Sequence, residues 1–120
     1  MQKSANVDKL NCIRYELGLH GLVQIHHVIP KSLKDHETLV KYNYDIESFE
    51  NLVFMPSSEG HAFLGLSKNR LIHDGPHKMY TQYVKSTLDL ISSSCDLERL
   101  INSLRVILHS EDGHSSIPWA

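Results

Sequence analysis

A chain of 120 residues, 41% hydrophobic and 22% charged, suits one ordinary globular domain. Its net charge of −2, from 12 Lys+Arg against 14 Asp+Glu, argues against a protein that grips nucleic acid through bulk positive charge. Two distant cysteines, Cys12 and Cys95, give no disulfide framework and no thiolate zinc site, and the longest uncharged run, Leu17 to Pro30, is 14 residues and too short to cross a membrane.

In chain order, Met1 to Asn6 is polar and leads into no apolar stretch, so no signal peptide is expected and a reducing, cytoplasmic setting is the default. Val7, Leu10, Ile13 and Leu17 recur at helical spacing, and Gly18 can end that helix. Leu22 to Pro30 is rich in β-branched residues and reads as a strand stopped by its proline. Lys31 to about Tyr42 reads as a short polar helix with Leu33, Leu39 and Val40 inward. A second short strand follows at Asn51 to Pro56. Ser57 to Arg70 reads as a loop with a helical turn around His61 to Leu66.

Asp74 is the expected N-cap of the next helix, whose apolar face holds Tyr80, Tyr83, Val84, Leu88 and Ile91. Ser92-Ser93-Ser94 breaks the chain, and Asp96 is expected to cap a last helix to about residue 109, with Leu97, Leu100, Ile101, Leu104, Ile107 and Leu108 on one side. Ser110 to Ala120 is polar and expected to be loose. The whole is expected to be α+β, mostly helical with a small two-stranded element, in a single domain over 1–120. Charge is uneven: residues 43–60 carry Asp45, Glu47, Glu50 and Glu59 with no Lys or Arg, while 61–90 carry Lys68, Arg70, Lys78 and Lys85 against Asp74 and Asp89.

Nine histidines in so short a chain are the unusual feature. Adjacent strand residues point to opposite faces, so His26 and His27 cannot both be simple core histidines. Taken alone, one half-buried and one exposed imidazole account for the pair. His73 and His77 are four apart where a helix begins, a spacing that on a continuous helix supplies two metal ligands on one face. Gly75 and Pro76 intervene, which leaves a capping or packing role equally open. Asn51 reads as a turn residue, or as a side chain that orients a catalytic histidine or ligates a metal.

Taken together, three blocks carry more than each does alone: Ile25-His26-His27-Val28-Ile29-Pro30, Asn51-Leu52-Val53-Phe54-Met55-Pro56, and His73-Asp74-Gly75-Pro76-His77-Lys78-Met79-Tyr80 with Val84 and Leu88 behind it. In this order they resemble the AHH clade of HNH/endonuclease VII nucleases, named for an Ala-His-His motif, over about residues 20–91. Ile25 stands where the clade has its alanine and Met55 where it usually has leucine. The resemblance implies a ββα-metal finger in which His26 binds metal, His27 activates water as general base, Asn51 holds His27, and His73 and His77 complete the metal site. His61 lies outside the pattern and is the alternative ligand. Lys31, Arg70 and Lys78 flank the blocks as candidate phosphate contacts or as solvated surface charges.

Such a site suits phosphodiester hydrolysis. A histidine accepts a proton near neutral pH, and one divalent ion stabilises charge at the phosphoryl group. All-imidazole ligation favours zinc, nickel or manganese over magnesium. DNA is the first expected partner and RNA the second, with little sequence reading, since phosphate contacts carry none. AHH domains resemble the tips of delivered bacterial effectors, which makes an inhibitor or immunity protein a candidate partner. The competing readings are a non-catalytic zinc-binding module and a protein-interaction domain served by the acidic 43–60 segment.

Overall fold

The computed structural model describes residues 5–73, 75 and 77–119. Helix α1 spans Ala5–Glu16 and strand β1 spans Val23–His27. A 3₁₀ turn at Lys31–Leu33, helix α2 at Glu37–Lys41 and a second 3₁₀ turn at Phe49–Asn51 lead into β2, Leu52–Pro56. Helices α3 (Ser58–Phe63), α4 (Lys78–Leu88), α5 (Ser94–Leu108) and α6 (Gly113–Ser116) follow. The architecture is α+β: a two-stranded antiparallel sheet within a mostly helical chain. Among the described residues no helix is long and apolar enough to cross a membrane.

The strands pair with His26 opposite Val53 and His27 opposite Leu52. Residues at β1's C-terminal end therefore lie beside the start of β2. Helix α4 packs Tyr80, Val84 and Leu88 into the core and α5 packs Leu97, Ile101, Leu104 and Leu108. These i, i+4 and i, i+3 repeats put one apolar stripe of each helix on the sheet-side core with Val28, Ile29, Val53 and Met55. The Tyr80 hydroxyl donates to the Val28 carbonyl, which fastens α4 to the residue just after His27.

The sheet's other end is closed by α3. Ser57 caps it, its Oγ accepting from the Gly60 amide at 3.0 Å, and that oxygen lies 2.9 Å from the Gly21 carbonyl. Gly60 packs so tightly that a β-carbon there would lie 1.7 Å from the Leu22 carbonyl oxygen, so only glycine fits this approach without main-chain movement.

Several expectations need correction. Helix α1 forms, but none of its residues is buried; it is tied down through Arg14, which donates to the Val23 carbonyl at 3.0 Å. Residues 31–42 form two short elements rather than one helix, and Val40 is exposed. The turn around His61 lies earlier, in α3. Helix α4 starts at Lys78 with His77 as cap; Asp74, the expected cap, and Pro76 lie outside the described residues. Helix α5 is capped by Ser93, whose Oγ accepts from the Asp96 amide at 3.0 Å. The expectation of a loose tail also fails. Ile117 and Trp119 are each 6% exposed, and the Trp119 indole N–H donates to the Ile72 carbonyl at 2.9 Å. Two apolar anchors in a polar segment hold it down where its average composition suggests freedom.

Candidate active site

Three chain segments bring imidazoles to one cavity. His26 and His27 come from the end of β1. His73 is placed by its own amide, which donates to the Pro56 carbonyl at 2.8 Å and so continues from β2. His77 stands at the start of α4. The cavity measures about 660 Å³, and its wall includes His26, His27, Lys31, His73, His77 and Lys78. Ser32, Thr81 and Gln82 add neutral polar groups that the sequence did not single out.

His26 is 7% exposed, and its Nδ1 lies 3.2 Å from Nδ1 of His73. Its Nε2 is buried with no hydrogen-bond partner among the described residues. Burial, and then the neighbouring imidazoles of His73, His77 and His27, push the His26 pKa down to about 3. The ring is therefore neutral near pH 7, and the neutral imidazole is the form that binds metals. Two nitrogens bound to one zinc ion at about 2.0–2.1 Å lie roughly 3.3 Å apart in a tetrahedral set. The His26–His73 approach fits that spacing.

His77 sits one step away. Its ring centroid is 6.2 Å from that of His73, and it stacks on Trp119 at 4.0 Å with the planes 28° apart. Trp119 also lies 5.4 Å from His26 and 5.0 Å from Tyr80, so the C-terminal segment walls the histidine cluster. Among the described residues no three His, Cys, Asp or Glu side chains already converge as a ligand set; the histidines meet as a close pair with His77 beside them. His61 is elsewhere, its Nε2 held 2.7 Å from the Ser67 carbonyl in the turn after α3.

His27 is half-buried on the other side of the strand. Its Nε2 lies 3.1 Å from Oε1 of Glu47, and Lys31 Nζ approaches the same oxygen at 3.5 Å. Sequence reasoning missed Glu47, which looked like one more charge in an acidic run. Asn51 is fully buried and works entirely on main chain. Its Oδ1 accepts from the Ile29 amide at 2.8 Å, and its Nδ2 donates to the Ile29 and Ile46 carbonyls at 3.1 and 2.9 Å. It thus clamps the backbone two residues past His27 and makes no bond to the His27 ring.

Of the three candidate phosphate contacts, Lys31 and Lys78 line the cavity and Arg70 does not. Arg70 is partly buried on the side of Glu111 and His109, and burial lowers its pKa.

Two strands and a following helix, with four imidazoles gathered at their junction, define a ββα unit built around a histidine cluster. The chain belongs to the AHH family, a nuclease family of the HNH/ENDO VII superfamily with a conserved AHH motif, which matches residues 14–108. No curated protein and no solved structure matches it. Membership implies a hydrolase acting on nucleic acid, in a superfamily whose nucleases generally use a divalent metal ion. The match ends at residue 108, so Trp119, which stacks on His77, lies beyond it.

Proposed function

We propose that this protein is an endonuclease that hydrolyses phosphodiester bonds of DNA with little sequence preference. The observation that carries this reading is the 3.2 Å approach of the His26 and His73 Nδ1 atoms, made in the same cavity that His27 lines. His26 and His73, joined by His77, would hold one divalent ion. The all-nitrogen donor set favours zinc, nickel or manganese over the oxygen-seeking magnesium. When bound, the ion supplies positive charge against the phosphoryl oxygens and helps the leaving oxygen depart.

The chain's own residues do the rest. His27, with Nε2 turned to Glu47, has Nδ1 as the nitrogen that takes a proton from water. The water oxygen forms the new bond to phosphorus, the bond to the 3′ oxygen breaks, and that oxygen leaves with a proton from solvent. Lys78, at the cavity edge, is the cation best placed to meet a phosphate, because Lys31 already faces Glu47. Asn51 keeps the main chain beyond β1 fixed while this happens.

Plasmid nicking across a panel of divalent metals tests the reading. The expected result is metal-dependent cleavage in the wild type and a loss on the order of a hundredfold in His27→Ala, with metal affinity unchanged. Metal binding without cleavage of any nucleic acid points instead to a non-catalytic zinc-binding module.

A further inference from the structure

Glu47 belongs to none of the motif blocks, yet it makes the one side-chain hydrogen bond to His27 among the described residues. We propose that Glu47 is the positioning residue of the His27 base: its carboxylate accepts the Nε2–H and so fixes the tautomer that leaves the Nδ1 lone pair for a proton from water. The inference deepens the reading above and rests on His27 being the base.

The carboxylate is delivered from a backbone held at three places. The Glu47 amide donates to Asp45 Oδ1 at 2.9 Å, an Asx turn inside the acidic run. The Glu47 carbonyl accepts from Asn6 Nδ2 of α1 at 2.9 Å. The preceding residue, Ile46, is buried, and its carbonyl accepts from Asn51 at 2.9 Å. The side chains of His27 and Glu47 are only 20% and 24% exposed, so their bond is not a loose surface pairing.

The chemistry follows from the two ring nitrogens being distinct. The bond made by one sets which of them carries the proton. A base whose ring is oriented by a third group is the general arrangement of activated hydrolytic sites. After proton uptake the same carboxylate faces the imidazolium and stabilises it. Lys31 Nζ, 3.5 Å from the same oxygen, gives the Glu47 carboxylate a second partner beside His27. This also gives α1 a purpose that its exposed residues do not reveal: Asn6 braces the loop that holds the base.

The test uses the full chain, Glu47→Gln and Glu47→Ala, and two readouts. In Glu47→Gln the amide oxygen still accepts from Nε2–H, so kcat should stay within about fivefold of wild type. In Glu47→Ala kcat should fall by about tenfold to a hundredfold, with KM and zinc affinity within about twofold. Nitrogen NMR of the His27 ring at mildly alkaline pH should find the proton on Nε2 in wild type and in Glu47→Gln, and shared between the nitrogens in Glu47→Ala. Wild-type kcat in Glu47→Ala, or a wild-type ring protonated on Nδ1, overturns the assignment, and the wild-type spectrum decides even should Glu47→Ala fail to fold. Activity retained in His27→Ala removes the base itself, whereas an inactive His27→Ala beside a fully active Glu47→Ala removes only Glu47.

Discussion

His26 and His73 are 47 residues apart in the chain, yet their Nδ1 atoms stand 3.2 Å from each other. The sheet makes this meeting, since His26 pairs with Val53 of β2 and His73 hangs from Pro56 at the end of that strand. Two like nitrogens facing each other in a buried place leave one proton or one cation to be shared between them.

Zinc or manganese binding should therefore weaken in His26→Ala, His73→Ala and His77→Ala, each by at least about tenfold, since even groups one step removed from a metal cost that much. His61→Ala should bind as wild type does, because its ring is engaged with the Ser67 carbonyl. Calorimetry on the four variants measures this. Wild-type affinity in all of the first three would refute the ligand set.

The low pKa of His26 gives the metal-free protein a sensitivity to acid. Its value is about 3 in the folded chain against 6.5 ordinarily, so between those pH values the unfolded chain binds more protons. Stability must then fall as pH drops through that window, by up to about 1.4 kcal/mol per unit from this residue. Urea unfolding of the metal-free protein near neutral and at mildly acidic pH reads the slope. His26→Phe should flatten it, and a slope unchanged by that substitution would mean that other groups carry the acid response.

Asn51 should matter more to stability than its turn-like sequence setting implies. Replacing it with Ala strands the Ile29 amide and the Ile29 and Ile46 carbonyls in a buried place, where each such group costs about 1–3 kcal/mol. The expected loss is at least about 2 kcal/mol, and Asn51→Asp should be no better because a carboxylate cannot donate to the two carbonyls. Thermal unfolding that shifts by only a degree or so would show that water replaces the amide.

DNA binding should be weak and only mildly salt-sensitive. The chain totals −2, Lys31 is shared with Glu47, and Arg70 lies off the cavity. Three or so phosphate contacts predict a slope of log affinity against log salt of about −3. Titration of a fluorescent duplex into His27→Ala across a salt range checks it, and a slope steeper than about −6 would require a basic groove elsewhere.

What the sequence made legible was whatever repeats locally. The β-branched run around His26, the short strand before Pro56, and the stripes Tyr80-Val84-Leu88 and Leu97-Ile101-Leu104-Leu108 are all local signals; the last three lie where they were expected, whereas the strand around His26 stops at His27, three residues short of the Pro30 expected to end it. The His26–His73 meeting was implied only by the resemblance to the AHH clade, because the spacing of the histidines leaves their convergence open. Glu47 was invisible because its partner is 20 residues away and its neighbours are other acids; the cue was Asp45, placed two residues before it to form a turn. Asn51 was visible as a residue but not in its action, since a side chain bonding only to main chain leaves no covarying partner type to read. Helix α1 misled in the opposite direction: its apolar spacing is real, but none of its residues is buried.

Trp119 is the chain's one tryptophan, and its indole is stacked on His77 and near His26. Indole emission is quenched by a protonated imidazole in contact and altered when that imidazole is engaged by something else. The protein thus carries its own optical probe at the cluster. A plain fluorescence titration, with no label and no substrate, follows acid, metal and ligand arriving at the site as they arrive.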